Sequence, residues 1–346
     1  MIIKRIAAAV LTVAMTAALF TGCSKNYDKV VTVDGMEFSP SMYLCAQYNA
    51  YNTAWSKVGE DVEDVLSETI EDMPAADWIR SEAIKNLQVY AWTEKTFEEM
   101  GLELNELDTG YIDELVEYYW PYNEEYYKAN GIGKETYTKF NIFSYKFDKI
   151  FSEMYGEDGE KAVSEAEYEA YMDENYARVT GFYMPKQDKL GKELGEKDMD
   201  VIKGYCADAV NELNSGADLE ETAEKFKTLA GDYLKLEVLY EDADENVIDS
   251  YIGKNSTAFS GEVEEQAFAL VPGSEYVWGE MDEDFIVYKR IENFSEGSEL
   301  EDVKSSLLAE MKSEEYNTYV QEQAEQLETE VDSAAVKYYS VDKIKN

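Results

Sequence analysis

Acid–base and nucleophilic chemistry in proteins rests most often on histidine, and this chain of 346 residues has none. That removes Ser-His-Asp and Cys-His catalysis, His-ligated zinc and the commonest general base near neutral pH. Carboxylate, lysine, tyrosine and cysteine remain. Carboxylates abound: 74 Asp and Glu stand against 31 Lys and Arg, a net charge of −43. Asp242-x-Asp244-x-Asn246 opens like a calcium loop. However, Val247 stands where the sharp turn needs glycine and Gly253 where a bidentate glutamate belongs, so an EF-hand is rejected. Cys45 and Cys206 lack CxxC spacing and fall on helices of different expected domains, which reads as unpaired structural thiols. No Walker or dinucleotide-binding glycine loop appears. The expectation is therefore no cofactor and no metal. The acidic surface repels nucleic acid and anionic headgroups and favours cationic partners.

The elements that would position any site begin after a leader. Lys4 and Arg5 precede the apolar run Ile6–Phe20, the pattern of an export signal. Leu19-Phe20-Thr21-Gly22-Cys23 then resembles a bacterial lipobox, which makes Cys23 the expected lipidation site. Two or more acyl chains there would hold the protein to a membrane, each buried methylene contributing ~0.8 kcal/mol. Ser24–Lys29 is a short polar tether. Val30–Val33 with Asp34-Gly35 and Met36–Phe38 reads as a hairpin, and Ser39-Pro40 as a helix start. From Ser41 to Tyr155 the pattern is helical: Trp78, Ile79, Ala83, Leu87 and Tyr90 share one face.

Asp108 can cap a helix over Tyr111–Ala129, ended by Gly131, and Lys134–Met154 forms another that is apolar on more than one side. Tyr118, Tyr119, Trp120, Tyr122, Tyr126 and Tyr127 crowd one stretch, which reads either as aromatic core or as a surface for sequence-tolerant contacts. Ser164-Glu-Ala-Glu167 is a capping box before a helix to Asn175. Ser298 is expected to cap a last long helix, with an apolar seam of Leu300, Val303, Leu307, Met311, Val320, Ala324, Leu327 and Val331. Ala335–Ile344 alternates as a final strand for Val30–Val33 would.

Between these helical stretches, Ala177–Met184 reads as a strand, Asp200–Asn214 as a helix, and Gly216-Ala217-Asp218-Leu219 with Ala223 as the start of another. Gly261–Ser274, GEVEEQAFALVPGS, is a short helix with Val263, Ala267 and Phe268 running into Pro272-Gly273. Trp278 and Phe285–Ile291 are extended. This order, clearest at its end, resembles a parvulin-type prolyl isomerase domain over Tyr176–Phe294. The opening hairpin, the lipobox and this block together resemble secreted foldases of the PrsA and SurA type.

The resemblance implies an α+β fold. A helical chaperone-like domain would be formed by both chain ends, 24–165 plus 295–346, with an inserted α/β parvulin-like domain at 166–294 and the signal segment at 1–23. It also shows departures. Gly181 stands where the family has one histidine and Ile286 where it has the other, Val263 replaces a pocket aromatic, and Phe259 and Ser260 occupy the pocket's Met and Gln positions. No catalytic residue carries over, and prolyl isomerisation still needs an apolar slot and a polar network for the twisted amide. Peptide would be held by Phe182, Met184, Phe259, Val263 and Phe285. The implied function is a lipid-anchored foldase or holdase on the outer face of a bacterial cell membrane, binding newly exported, unfolded polypeptides. Two alternatives stay open: an active prolyl isomerase, or a surface lipoprotein with a structural or ligand-binding role.

Overall fold

The computed structural model describes residues 27–59, 62–236, 247–254, 259–294 and 298–345. By packing, the chain divides into two compact units, one of residues 1–160 with 313–346 and one of residues 161–312. Cys23 and the Asp242–Asn246 run lie outside the described residues.

The first unit opens with β1 (Val31–Val33) and β2 (Met36–Phe38), paired antiparallel so that Val31 faces Phe38. Asp34 and Gly35 turn between them at φ 47° and 83°, the left-handed conformation a two-residue hairpin requires. Ser39 caps α1 (Pro40–Val58) by accepting a hydrogen bond from the Met42 amide, with Pro40 at the first turn. Ala46, Ala50 and Ala54 recur every fourth residue and are buried, so the backbone of α1 can lie close to its neighbour. A short hairpin, β3 (Thr69–Ile70) with β4 (Met73–Pro74), leads into α2 (Ala75–Glu99). Its inner face of Trp78, Ile79, Ala83, Leu87 and Tyr90 is buried against α1 in a core that also takes Val31, Val33 and Phe38.

Helix α3 (Glu106–Ala129) starts five residues before the Tyr111 that the sequence suggested. Asn105, not Asp108, is its cap. Asp108 is the third helical residue and reaches back to the Asn105 amide at 3.0 Å, completing a capping box. Asp108 also accepts from the Tyr145 hydroxyl at 2.7 Å and from Lys149 at 2.9 Å, both on α4 (Lys134–Tyr155). Tyr90 of α2 stacks on Phe143 of α4 at 4.9 Å, so α4 is seated by aromatic contacts.

The second unit begins with α5 (Glu165–Asn175), whose Ser164–Glu167 capping box is formed as the sequence spacing suggests. Then come β5 (Tyr176–Pro185), α6 (Glu196–Asn214), α7 (Leu219–Leu234), β6 (Ile248–Gly253), α8 (Gly261–Ala269), β7 (Val277–Glu280) and β8 (Asp284–Arg290). The four strands form one antiparallel sheet in the order β6-β5-β8-β7. Apolar side chains of α6 and α7 cover one face, and those of α8 cover the other.

Helix α9 (Ser298–Ala324) contributes its first part to the second unit and the rest to the first. Ser298 is its first helical residue rather than its cap, and it stops at Ala324, so Leu327 and Val331 do not continue the seam. In the first unit Tyr316 is buried against Phe147 and Phe151 and donates to the Phe147 carbonyl at 2.9 Å. The strand beside β1 is β9 (Thr329–Val331), with Val31 opposite Val331, and not Ala335–Ile344. Asp332 explains the difference: its carboxylate accepts from the Ala334 and Ala335 amides and starts α10 (Ser333–Tyr338), which ends extension. The fold is α+β, mainly helical with small antiparallel sheets.

The hydrogen bond from the Asn105 amide, with those from Tyr145 and Lys149, holds the Asp108 carboxyl down to about 2. A depressed carboxylate contributes stability above its unfolded value of 3.8 that is lost as pH falls toward 2. Asp108→Asn is therefore expected to lower the melting temperature at pH 6 and to differ little from the parent at pH 2, as read by circular dichroism melts across that range.

Candidate functional sites

Register in the second unit decides which side chains meet. Gly181 faces Tyr288, Phe182 faces Val287, Tyr183 faces Ile286 and Met184 faces Phe285 across β5 and β8. Because strand side chains alternate, Phe182, Met184 and Phe285 enter the core under α6 and α7, with Ile202, Cys206 and Phe226. Phe259 and Val263 enter the other core with Ala177, Val179, Ile286 and Tyr288. The five proposed peptide contacts are all buried, and the sheet separates three from two. As placed, they do not line one groove. Phe182, Met184 and Phe285 share one face through the pairing of β5 with β8, whereas Phe259 and Val263 belong to the segment that covers the other face.

Two further observations concern Gly181 and the strand opposite it. A Cβ on Gly181 would lie 2.0 Å from the Val287 carbonyl oxygen and 2.7 Å from the Tyr288 Cα, so β8 leaves room for hydrogen only. Tyr288 fills the space beside it. Its hydroxyl is 2.9 Å from Gln266 Oε1 and 3.3 Å from the Val263 carbonyl, and burial pushes the phenol's pKa up. Ser260 pins the start of α8 to β7 by donating to the Glu280 carbonyl at 2.7 Å while accepting from the Val263 amide. Val263 in turn packs so near Gly279 that a Cβ there would come within 2.6 Å of its Cγ2. Tyrosine, isoleucine and valine thus pack the region where the resemblance would set a histidine pair and a proline slot.

On the opposite face Lys186 is buried, 3.2 Å from Glu280 and donating to the Met281 carbonyl at 2.7 Å, while Lys203 is 2.8 Å from the same carboxylate. Both ammonium groups lie over the Phe285 ring. The two ammonium groups share the one Glu280 carboxylate, and the cluster ties β7 to α6. Cys45 and Cys206 are buried free thiols whose pKa values burial raises to about 12, which leaves them inert at neutral pH. Among the described residues no three Cys, Asp or Glu are grouped to hold a metal ion.

The first unit presents a different surface. Asp108, Ile112, Val116 and Trp120 are buried along α3 at intervals of four, which turns the tyrosines of the same helix outward. Tyr111, Tyr118, Tyr122 and Tyr126 are spaced seven, four and four apart and so share one strip, with Tyr119 beside it. Tyr118 is 62% exposed and Tyr122 70%. Tyr118 contacts both Tyr119 and Tyr122 at ring separations of 4.9 and 5.7 Å. Trp120 and Tyr127, grouped with them by sequence, instead stack on each other, and Trp120 is buried. Leu107 and Tyr111, at the start of the strip, were not singled out by sequence. The buried four-residue series was the signal that would have assigned Tyr111 outward. Glu114, Glu117, Glu124 and Glu125 lie on the same helix, Glu117 paired with Lys134 and Glu124 with Lys128.

Gly181→Ala is expected to cost about 1–3 kcal/mol, an overpacking penalty, read as a lower urea midpoint. Tyr288→Phe is expected to cost about 1 kcal/mol for the lost buried hydrogen bond. Neither change should create isomerase activity.

No family model matches the chain and no curated protein matches it. Solved structures do. The chain is similar to the foldase protein PrsA of Lactococcus lactis at 13% identity, covering 92% of this chain and 100% of that one, with a TM-score of 0.39. It is similar to the foldase protein PrsA of Streptococcus pneumoniae at 15% identity, covering 75% and 81%, with a TM-score of 0.31. It is also similar to PrsA of Bacillus subtilis at 17% identity, covering 77% and 84%, with a TM-score of 0.26. Superposition this loose does not carry residue roles from those proteins to this one.

Proposed function

We propose that the protein is a foldase or holdase of the extracytoplasmic space that binds newly exported, unfolded polypeptide, with an inserted parvulin-like unit that does not catalyse prolyl isomerisation. One observation carries this reading: the solvent-facing tyrosine strip of α3, set among carboxylates. Tyrosine covers apolar area at low entropic cost and hydrogen-bonds through its tip, so it tolerates varied sequences. Surrounding acidity favours basic and apolar segments and disfavours nucleic acid. The packed, histidine-free region around Gly181 and Tyr288 supports the absence of catalysis. The α+β architecture, with a helical unit made from both parts of the chain, is compatible with the same reading.

Membrane attachment belongs to the proposal through Cys23. Among the described residues no helix is long and apolar enough to cross a membrane, and a lipid at Cys23 would supply the anchor instead. Labelling cells with radioactive palmitate is expected to mark the protein, and Cys23→Ser to abolish the mark. Labelling that survives the substitution would end this part of the reading.

The function itself is tested with protein lacking residues 1–23. Aggregation of an unfolded client is expected to be suppressed, while cis/trans relaxation of a proline peptide proceeds at its uncatalysed rate. Replacing Tyr118, Tyr122 and Tyr126 together by Ser should weaken client binding about ten-fold, at about 0.5 kcal/mol per lost aromatic contact. Raising the salt concentration should weaken it further. A clear rate enhancement would restore the isomerase alternative, and the absence of both effects would favour a structural lipoprotein.

A further inference from the structure

Two side-chain carboxamides of the first unit hold a stretch of the chain's own backbone. Asn130, buried just beyond the last turn of α3, donates from Nδ2 to the Lys345 carbonyl at 2.8 Å and accepts at Oδ1 from the Lys345 amide at 2.8 Å. It is held in place by a second Nδ2 bond to the Tyr126 carbonyl at 2.9 Å. Gln47, buried on α1, donates from Nε2 to the Tyr339 carbonyl at 3.0 Å. A carboxamide repeats the donor–acceptor pair of a peptide group, so Asn130 engages Lys345 as a neighbouring strand would. These bonds touch no side chain of the segment they hold. They read backbone, not sequence.

The seat is larger than its occupant. A cavity of about 520 Å³ lies beside the segment, lined by Leu44, Gln47, Ala129, Tyr339, Ser340 and Ile344 among others. That is within the range of pockets that enclose a ligand. The orientation of the Gln47 amide follows from its partner, because the Tyr339 carbonyl can only accept. Gln47 Oε1 is consequently left buried with no hydrogen-bond partner, an acceptor the present occupant does not use. The occupant is also basic: Tyr339–Lys345 carries Lys343 and Lys345 with Asp342 as its acid, on a chain of net charge −43. Its apolar members are Val341, buried in the core within a single 3-10 turn (Val341–Lys343), and half-buried Ile344.

We infer that the trough between Gln47 and Asn130 is a sequence-tolerant seat for a short basic and apolar polypeptide segment, which the chain's own Tyr339–Lys345 fills as an internal competitor. The inference rests on the reading that this unit binds unfolded polypeptide. It adds a second, backbone-directed contact to the tyrosine strip, and a bulkier incoming segment would fill the cavity that Ser340 and Ile344 leave.

The test compares the full chain, the same chain ending at Lys343, and a full chain carrying Lys345→Pro, which removes the N–H offered to Asn130 without a deletion. The probe is a fluorescein-labelled peptide reproducing residues 337–346, with a control in which its lysines are glutamates. Both altered chains are expected to bind the basic peptide at least ten-fold more tightly than the full chain, the acidic control to bind weakly, and Asn130→Leu added to either to remove the gain. Binding of an unfolded client should rise in the altered chains and be competed by the peptide. Equal peptide affinity for all three chains, or a gain that survives Asn130→Leu, would overturn the inference. If the full chain holds clients and neither alteration changes their affinity, the seat is refuted while the chaperone reading stands. If the altered chains bind the peptide but no chain holds a client, the seat stands and that reading fails.

Discussion

The first unit depends on the chain's return to its own beginning. Val31–Val33 can use both edges only because Thr329–Val331 comes back to pair with one of them after Met36–Phe38 has taken the other. Without that third strand the hairpin would be a two-stranded element, marginal by itself, and Val31 and Val33 would lose the ladder that seats them in the core. The same return brings Asp332 to start α10, and brings Tyr339 and Lys345 to Gln47 and Asn130. Closing so long a loop costs entropy that grows only as the logarithm of its length, so an entire second unit can sit between the two halves of the first.

In that second unit one close approach governs what the sheet can do. The backbones of β5 and β8 come together at Gly181 so tightly that no side chain fits, and Tyr288 occupies the adjoining space with its hydroxyl bonded to Gln266. The atoms nearest a Cβ at residue 181 are the Val287 carbonyl oxygen and the Tyr288 Cα, so the approach of the β8 backbone itself requires glycine there.

Much of this was legible in the sequence because its signals are local. Asp34-Gly35 gives the turn, Ser39-Pro40 the first cap, and Ser164 with Glu167 the box, since each is decided within a few residues. The failures share a cause of the opposite kind. Placing Phe182 relative to Val263 required knowing which face of the sheet α8 covers, a non-local quantity. Asp108 looked like a cap because it has the right residue type, but Asn105 three residues earlier has it too and makes the first contact. The strand at Thr329–Val331 is three residues long and mostly exposed, leaving almost no apolar pattern, whereas the alternation in Ala335–Ile344 was broken by a single capping aspartate. Asn130 and Gln47 carried no signal, since a buried carboxamide is defined by what returns to it.

On the proposed function, polypeptide is engaged by the helical unit and not by the packed sheet of the inserted one. Site-specific photocrosslinking tests it most directly. A benzophenone amino acid is placed at residue 122, on the exposed strip, or at residue 183, the half-buried strand position on the α8 face, and each protein is irradiated with an unfolded client. Adducts from residue 122 with none from residue 183 are the expected result. Adducts from residue 183 with none from residue 122 would contradict the account.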